Sequence, residues 1–174
     1  MYKLVEEINA NAIQGQEWAK GSKQLRFWQL DQALGVVVRK GDDLWGVHLT
    51  QVDSDSRAPF DEVAAASVLQ LLPKVYDGAW LVGHVEEFSR GSVFGLGGEA
   101  TYDVSRGYEA LTGQLHNLHV DRPFIAKPLR CNNELGGLWE SCVCTVKVSG
   151  NGVAIYYEAF HPQLHMPIWT LVPE

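Results

Sequence analysis

Apolar and polar residues alternate most clearly around one dense apolar core. Leu34 to Arg39 contains Val36, Val37 and Val38 in succession. β-Branched residues favour extended backbone, and three together point to a strand buried on both faces. Lys40-Gly41-Asp42-Asp43 is a turn, and Leu44 to Thr50 returns as a second strand. The period of two puts Trp45, Val47 and Leu49 on one face of that strand and Leu44, Gly46 and His48 on the other.

The pattern changes period after a polar loop from Val52 to Pro59. Asp61 is placed to cap a helix running through 61–72, where Val63, Leu69 and the alanines around them permit close packing on a sheet. Pro73 stops it. Asp77-Gly78 turns the chain into a strand over 79–86. Together, 44–50, 61–72 and 79–86 predict a strand–helix–strand unit, with the two strands as parallel neighbours.

Elsewhere the signals are shorter. Leu4, Val5, Ile8, Ala12 and Ile13 recur at three- and four-residue steps and predict an opening helix over 3–18. Four glycines within 89–98 mark a loop or a bulged strand. Val104 to Leu111 predicts a short helix, with Asp103 as cap and Gly113 as stop. The segments 138–148 and 153–160 alternate well, and Ser149-Gly150-Asn151-Gly152 joins them as a hairpin.

These elements predict a single domain over 1–174 of α/β or α+β class. At its centre is one mixed, twisted sheet holding the valine strand, its hairpin mate, strand 79–86 and the C-terminal hairpin. The 61–72 helix covers one face. At 174 residues with 46% hydrophobic content, the chain can bury a core without a disulfide or metal.

Charge narrows the partners. The net charge is -7, and residues 1–87 carry eight Lys/Arg against thirteen Asp/Glu. No basic stripe is present, which disfavours nucleic acid and anionic membrane surfaces. A cationic protein or a small neutral ligand suits this balance better. No stretch approaches 18 apolar residues, so no membrane span is expected. The three cysteines, Cys131, Cys142 and Cys144, make a poor disulfide framework and point to the reducing cytoplasm.

Candidate chemistry falls into three sets. Cys131 lies in a polar turn beside Arg130, whose charge favours a thiolate. With a histidine as base it could perform acyl transfer or deamidation. His48 and His84 each end an expected strand. If those strands are parallel neighbours, the two imidazoles meet at one sheet edge, near Asp53, Asp55, Glu86 and Glu87, in a pocket suited to metal-assisted hydrolysis. Trp139, Tyr156, Tyr157 and Trp169 are candidates for an aromatic binding surface.

Each set has a plainer counterpart. Cys142 and Cys144 share a strand face with Val146 and Val148, which reads as burial. Each histidine also reads as a strand residue with its ring bonded to backbone or water. Gly-x-Ser-x-Gly, His-Glu-x-x-His and the phosphate-binding loops are absent from the sequence, and nothing in it names a cofactor. The favoured expectation is a noncatalytic binding or protein-interaction domain, with the thiol or histidine enzyme as the alternative and a homo-oligomer as a possible assembly.

Overall fold

Alternation at the valine strand sets the architecture. The computed structural model describes residues 2–5, 12–28, 30, 33–83, 85–90, 92–95, 98–101, 103–121, 141–160 and 167–171. Strand β4 (Ala33–Lys40) occupies the middle of a mixed six-stranded sheet. It pairs antiparallel on one side with β5 (Asp43–Thr50) and on the other with β6 (Gly78–Gly83). Beyond β5 lie β2 (Glu17–Ser22) and then β1 (Lys3–Leu4), and beyond β6 lies β9 (Leu118–Val120). The two outermost pairings are parallel.

Leu34, Val36 and Val38 of β4 pack against helices, while Ala33 and Val37 pack into a second core on the opposite face. The helical layer contains α1 (Glu62–Leu71), α2 (Val85–Arg90) and α3 (Ser105–Gln114). Ala65 and Val68 of α1, Phe88 of α2 and Leu111 of α3 enter this first core. Asp61 caps α1 as expected, its carboxylate accepting from Ala64 N at 2.9 Å. The chain leaves the helix through Leu72 into Pro73.

The other face meets a second, antiparallel sheet. Its order is β12 (Pro167–Leu171), β11 (Gly152–Phe160), β10 (Ser141–Ser149) and β3 (Gln24–Trp28). The fold is therefore α+β, with a mixed sheet, a covering helix and a C-terminal hairpin. That hairpin lies in the second sheet rather than beside the valine strand. A small separate hairpin pairs β7 (Ser92–Gly95) with β8 (Gly98–Thr101), within and just beyond the glycine-rich segment.

Two backbone devices hold the sheets together. Lys23, at φ 69°, is the corner between β2 and β3. Its N–H donates to Asp42 O in one sheet's turn, and its carbonyl accepts from Val148 N of the other, both at 2.8 Å. Arg39 donates through Nη1 to the carbonyls of Gly150 (2.8 Å) and Gly152, tying β4 to the tip of the β10–β11 hairpin.

Three expectations change. The opening helix is absent from the described part of 3–18: β1 is extended there, with Lys3 N donating to Gln16 O and Val5 N to Trp18 O at 2.9 Å each. Ile13 is extended too, and its N–H and carbonyl bond to Arg26 and Trp28. Tertiary pairing overrides a weak helical periodicity here. Strand 79–86 ends at Gly83, whose φ of 103° only glycine adopts easily, and α2 follows. Finally, β5 and β6 run in the same direction but are not neighbours, because β4 lies between them.

Close approach of the sheets depends on missing side chains. A Cβ on Gly46 would stand 2.8 Å from Leu25 Cδ1 and 2.9 Å from Phe27 Cζ, and one on Gly35 would stand 2.7 Å from Val82 Cγ2 and 3.2 Å from the Phe27 ring. We expect Gly46→Ala and Gly35→Ala each to lower the unfolding free energy by about 1–3 kcal/mol through overpacking. Gly113→Ala in α3 meets open space and should raise it by roughly 0.5–1 kcal/mol. Urea titration measures all three, and equal effects at the three positions would contradict the packing account.

Candidate binding groove and buried polar node

The loop after β5 is rigid because its side chains close it internally. Asp53 accepts from Asp55 N (2.9 Å) and Ser56 N (2.8 Å) through Oδ1 and from Gln16 Nε2 (2.7 Å) through Oδ2. Gln16 also accepts from Ser54 N through Oε1 at 2.9 Å. Backbone bonds from Asp53 N to Ala58 O and from Phe60 N to Gln51 O close the base. Phe60 anchors the exit, edge-on to Phe88 at 5.6 Å between centroids.

Between this loop and α1 opens a groove of about 470 Å³. Val63, Ala64, Ser67, Gln70 and Leu71 of α1 form one wall, and Ser56, Ala58 and Pro59 belong to the other. Tyr2, Gln16, Thr50, Asp53, Phe60 and Asp61 complete the lining. The Ser56 amide, followed by the Gln16 side chain and the Asp55 amide, holds the Asp53 carboxyl well below its ordinary range. Burial raises the Tyr2 phenol well above 10.0, and the Asp53 charge adds to the rise. At neutral pH the groove thus presents an ionised carboxylate and a protonated phenol.

A second polar centre lies between the sheets. Tyr157 is buried, its hydroxyl accepting from Gly83 N at 3.0 Å and donating to Asp121 Oδ2 at 2.5 Å. Cys144 is its direct cross-strand partner and is fully buried. Burial pushes the Cys144 thiol above its ordinary 9.0, and the Asp121 charge pushes in the same direction. The Tyr157 phenol is driven above 10.0 first by burial, then by Cys144 and Asp121. A desolvated thiol of this kind is inert, so Cys144 behaves as the small hydrophobe expected from its strand face.

The residues singled out in the sequence do not converge. His48 is buried, 3% exposed, with Nε2 donating to Trp28 O at 2.8 Å. A carbonyl only accepts, so Nε2 carries the proton and the ring links β5 to the end of β3. His84, Cys131 and Trp139 lie outside the described residues. The neighbouring-strand premise of a His48/His84 pocket is overturned by β4, which sets β5 and β6 roughly 10 Å apart. Tyr156 is half-buried under Lys147, whose Nζ is 5.6 Å from the ring centroid. Tyr157 is inaccessible to a ligand surface, and Trp169 pairs through its backbone with Ala159 in β12. Among the described residues, no group of three His, Cys, Asp or Glu could hold a metal.

His116 and His119 are bound to rings instead. His116 stacks on Tyr76 at 3.9 Å and His119 on Trp80 at 5.5 Å. The groove escaped the sequence reading because 52–59 reads only as a polar loop. The one local signal was an Asp followed by amides within turn distance, at Asp53, Asp55 and Ser56.

No known family model matches the chain, and no curated protein matches it. Among solved structures it is similar to the C-terminal domain of CNFy from Yersinia pseudotuberculosis, at 12% identity and a TM-score of 0.31. The match covers 90% of this chain and 53% of that one, so the chain spans about half the length of its structural neighbour. A likeness at this TM-score assigns neither fold nor activity. No described helix is long and apolar enough to cross a membrane.

The buried node makes a pH prediction. Both Tyr157 and Cys144 hold their protons more tightly folded than unfolded, so their contribution is complete below the ordinary thiol value of 9.0 and is lost as pH rises past 9.0 and 10.0. The unfolded state then binds fewer protons than the native one, and stability falls by up to about 1.4 kcal/mol per pH unit for each group. Tyr157→Phe combined with Cys144→Ala should flatten this alkaline slope in denaturation measured from pH 7 upward. At pH 7, Tyr157→Phe alone should cost about 1–3 kcal/mol, because Gly83 N–H and Asp121 lose their shared partner.

Proposed function

We propose that this chain is a noncatalytic binding domain whose ligand site is the groove between α1 and the 52–60 loop. The observation that carries this reading is the groove itself. Its volume of about 470 Å³ falls within the range of small-molecule sites, which run from about 300 to 1,000 Å³. Its polar groups are already fixed by internal bonds from Asp53, Gln16 and Asp61, so little order has to be gained on binding.

A mixed wall also suits recognition. Pro59, Val63 and Leu71 offer apolar surface, and Val63 is 74% exposed although it sits on a packed helix. Ser67, Gln70 and Tyr2 supply polar groups around it. The net charge of -7 keeps nucleic acid disfavoured as a partner and leaves a small molecule or a segment of another protein. The buried free thiol of Cys144 fits a reducing compartment.

Nitrogen-15 NMR of the full chain, titrated with a set of small soluble fragments, tests the site. Binding fragments should shift the amides of Ser56, Val63 and Ser67. Ser67→Trp, at an exposed helix position, should fill the groove and remove those shifts. It should leave Tm within about 2–4 °C of the parent, the change expected for no more than about 1 kcal/mol. A fragment set that shifts no groove amide, or shifts that survive Ser67→Trp, would refute the assignment.

A further inference from the structure

We infer that the ligand of the groove is a small organic cation, an ammonium group carried on an apolar body. This inference rests on the groove being a binding site. The lining contains the carboxylates of Asp53 and Asp61 and no Lys, Arg or His. A fixed field of one sign on a partly enclosed wall favours a ligand of the opposite sign.

The alternatives fail on the same geometry. A helix start ordinarily attracts an anion through its free first-turn amides. Here Asp61 occupies the Ala64 amide at 2.9 Å and places its own negative charge at that end. A neutral polar ligand needs free donors and acceptors, but both ends of the Gln16 amide are engaged, one with Asp53 and one with Ser54 N. Charge and apolar surface are therefore the features left for a ligand to read. The loop bonds to Asp53 keep that carboxylate ionised, and Pro59, Val63 and Leu71 offer contact for an apolar body.

Three probes with matched bodies separate the charge assignment from binding itself: 2-phenylethylamine, 2-phenylethanol and 3-phenylpropanoate. Each is titrated into the full nitrogen-15-labelled chain at low and at high NaCl. The amine should shift the amides of Ser56, Val63 and Ser67 and bind roughly fivefold tighter than the alcohol, the scale of one partly exposed ion pair. The anion should not bind, and salt should weaken the amine alone. Asp61→Asn retains an equally good helix cap while removing the charge. It should lower amine affinity by about threefold to fivefold and leave the alcohol unchanged. Alcohol or anion binding in the groove as tightly as the amine, or an Asp61→Asn variant with an unaltered amine-to-alcohol ratio, overturns the cation assignment and leaves the binding site standing. Absence of groove shifts with all three probes overturns both.

Discussion

Seating of the Phe27 ring on two bare backbone positions is the constraint from which the rest of the structure follows. Gly46 of β5 and Gly35 of β4 stand beneath that ring, with Ile13 and Leu25 beside Gly46 and Val82 beside Gly35. The six-stranded sheet can bury its second face only if the four-stranded sheet comes this close. Once it does, Val37, Trp80 and Val82 meet Cys144, Val146 and Ile155 across the interface. The valine strand then loses solvent on both sides, which is the condition its sequence implies. Side chains at positions 35 and 46 would force the layers apart and forfeit dispersion contacts along the whole interface.

That dry interface in turn decides how polar groups behave inside it. Tyr157 brings a hydroxyl among apolar side chains, a costly move without partners. Gly83 N–H and the Asp121 carboxylate satisfy it from two other segments. The positive φ of Gly83 is linked to this, since the chain must turn there into α2 while the amide points at Tyr157. His48 is resolved in a similar way by the Trp28 carbonyl. Both polar rings connect the two sheets, and both serve packing where an isolated reading of the residue suggests chemistry.

What the sequence made legible follows from range. The valine run, the Asp61 cap and both glycine-containing hairpins are set by residues within one or two turns of each other, and their structures match the local pattern. The face assignment along β5 also holds, since Val47 and Leu49 enter one core and Leu44 the other. Adjacency of β5 and β6 was not legible. Chain order places them in succession around α1, and no local signal says that β4, already paired with β5, has a second free edge. The opening segment failed for a related reason. Its apolar residues at helical spacing serve separate contacts: Leu4 sits on an edge strand, and Ile13 is buried between the sheets. Tyr157 and Asp121 are 36 residues apart, and Gln16 and Asp53 are 37 apart, so neither pair left a motif.

The groove illustrates why such long-range pairs matter for function as well as for fold. Its loop could be read as ordinary polar chain, yet Gln16, from the turn before β2, locks it by accepting from Ser54 and donating to Asp53. A loop closed only by its own turn would retain entropy that a ligand must remove on binding. Fastening it to the sheet removes that freedom at the folding step. The same fastening positions Asp53 opposite a helix whose dipole is already countered by Asp61, so the electrostatic character of the site is set by the fold before any ligand arrives. Recognition here is thus a consequence of how β2, β5 and α1 are tied together.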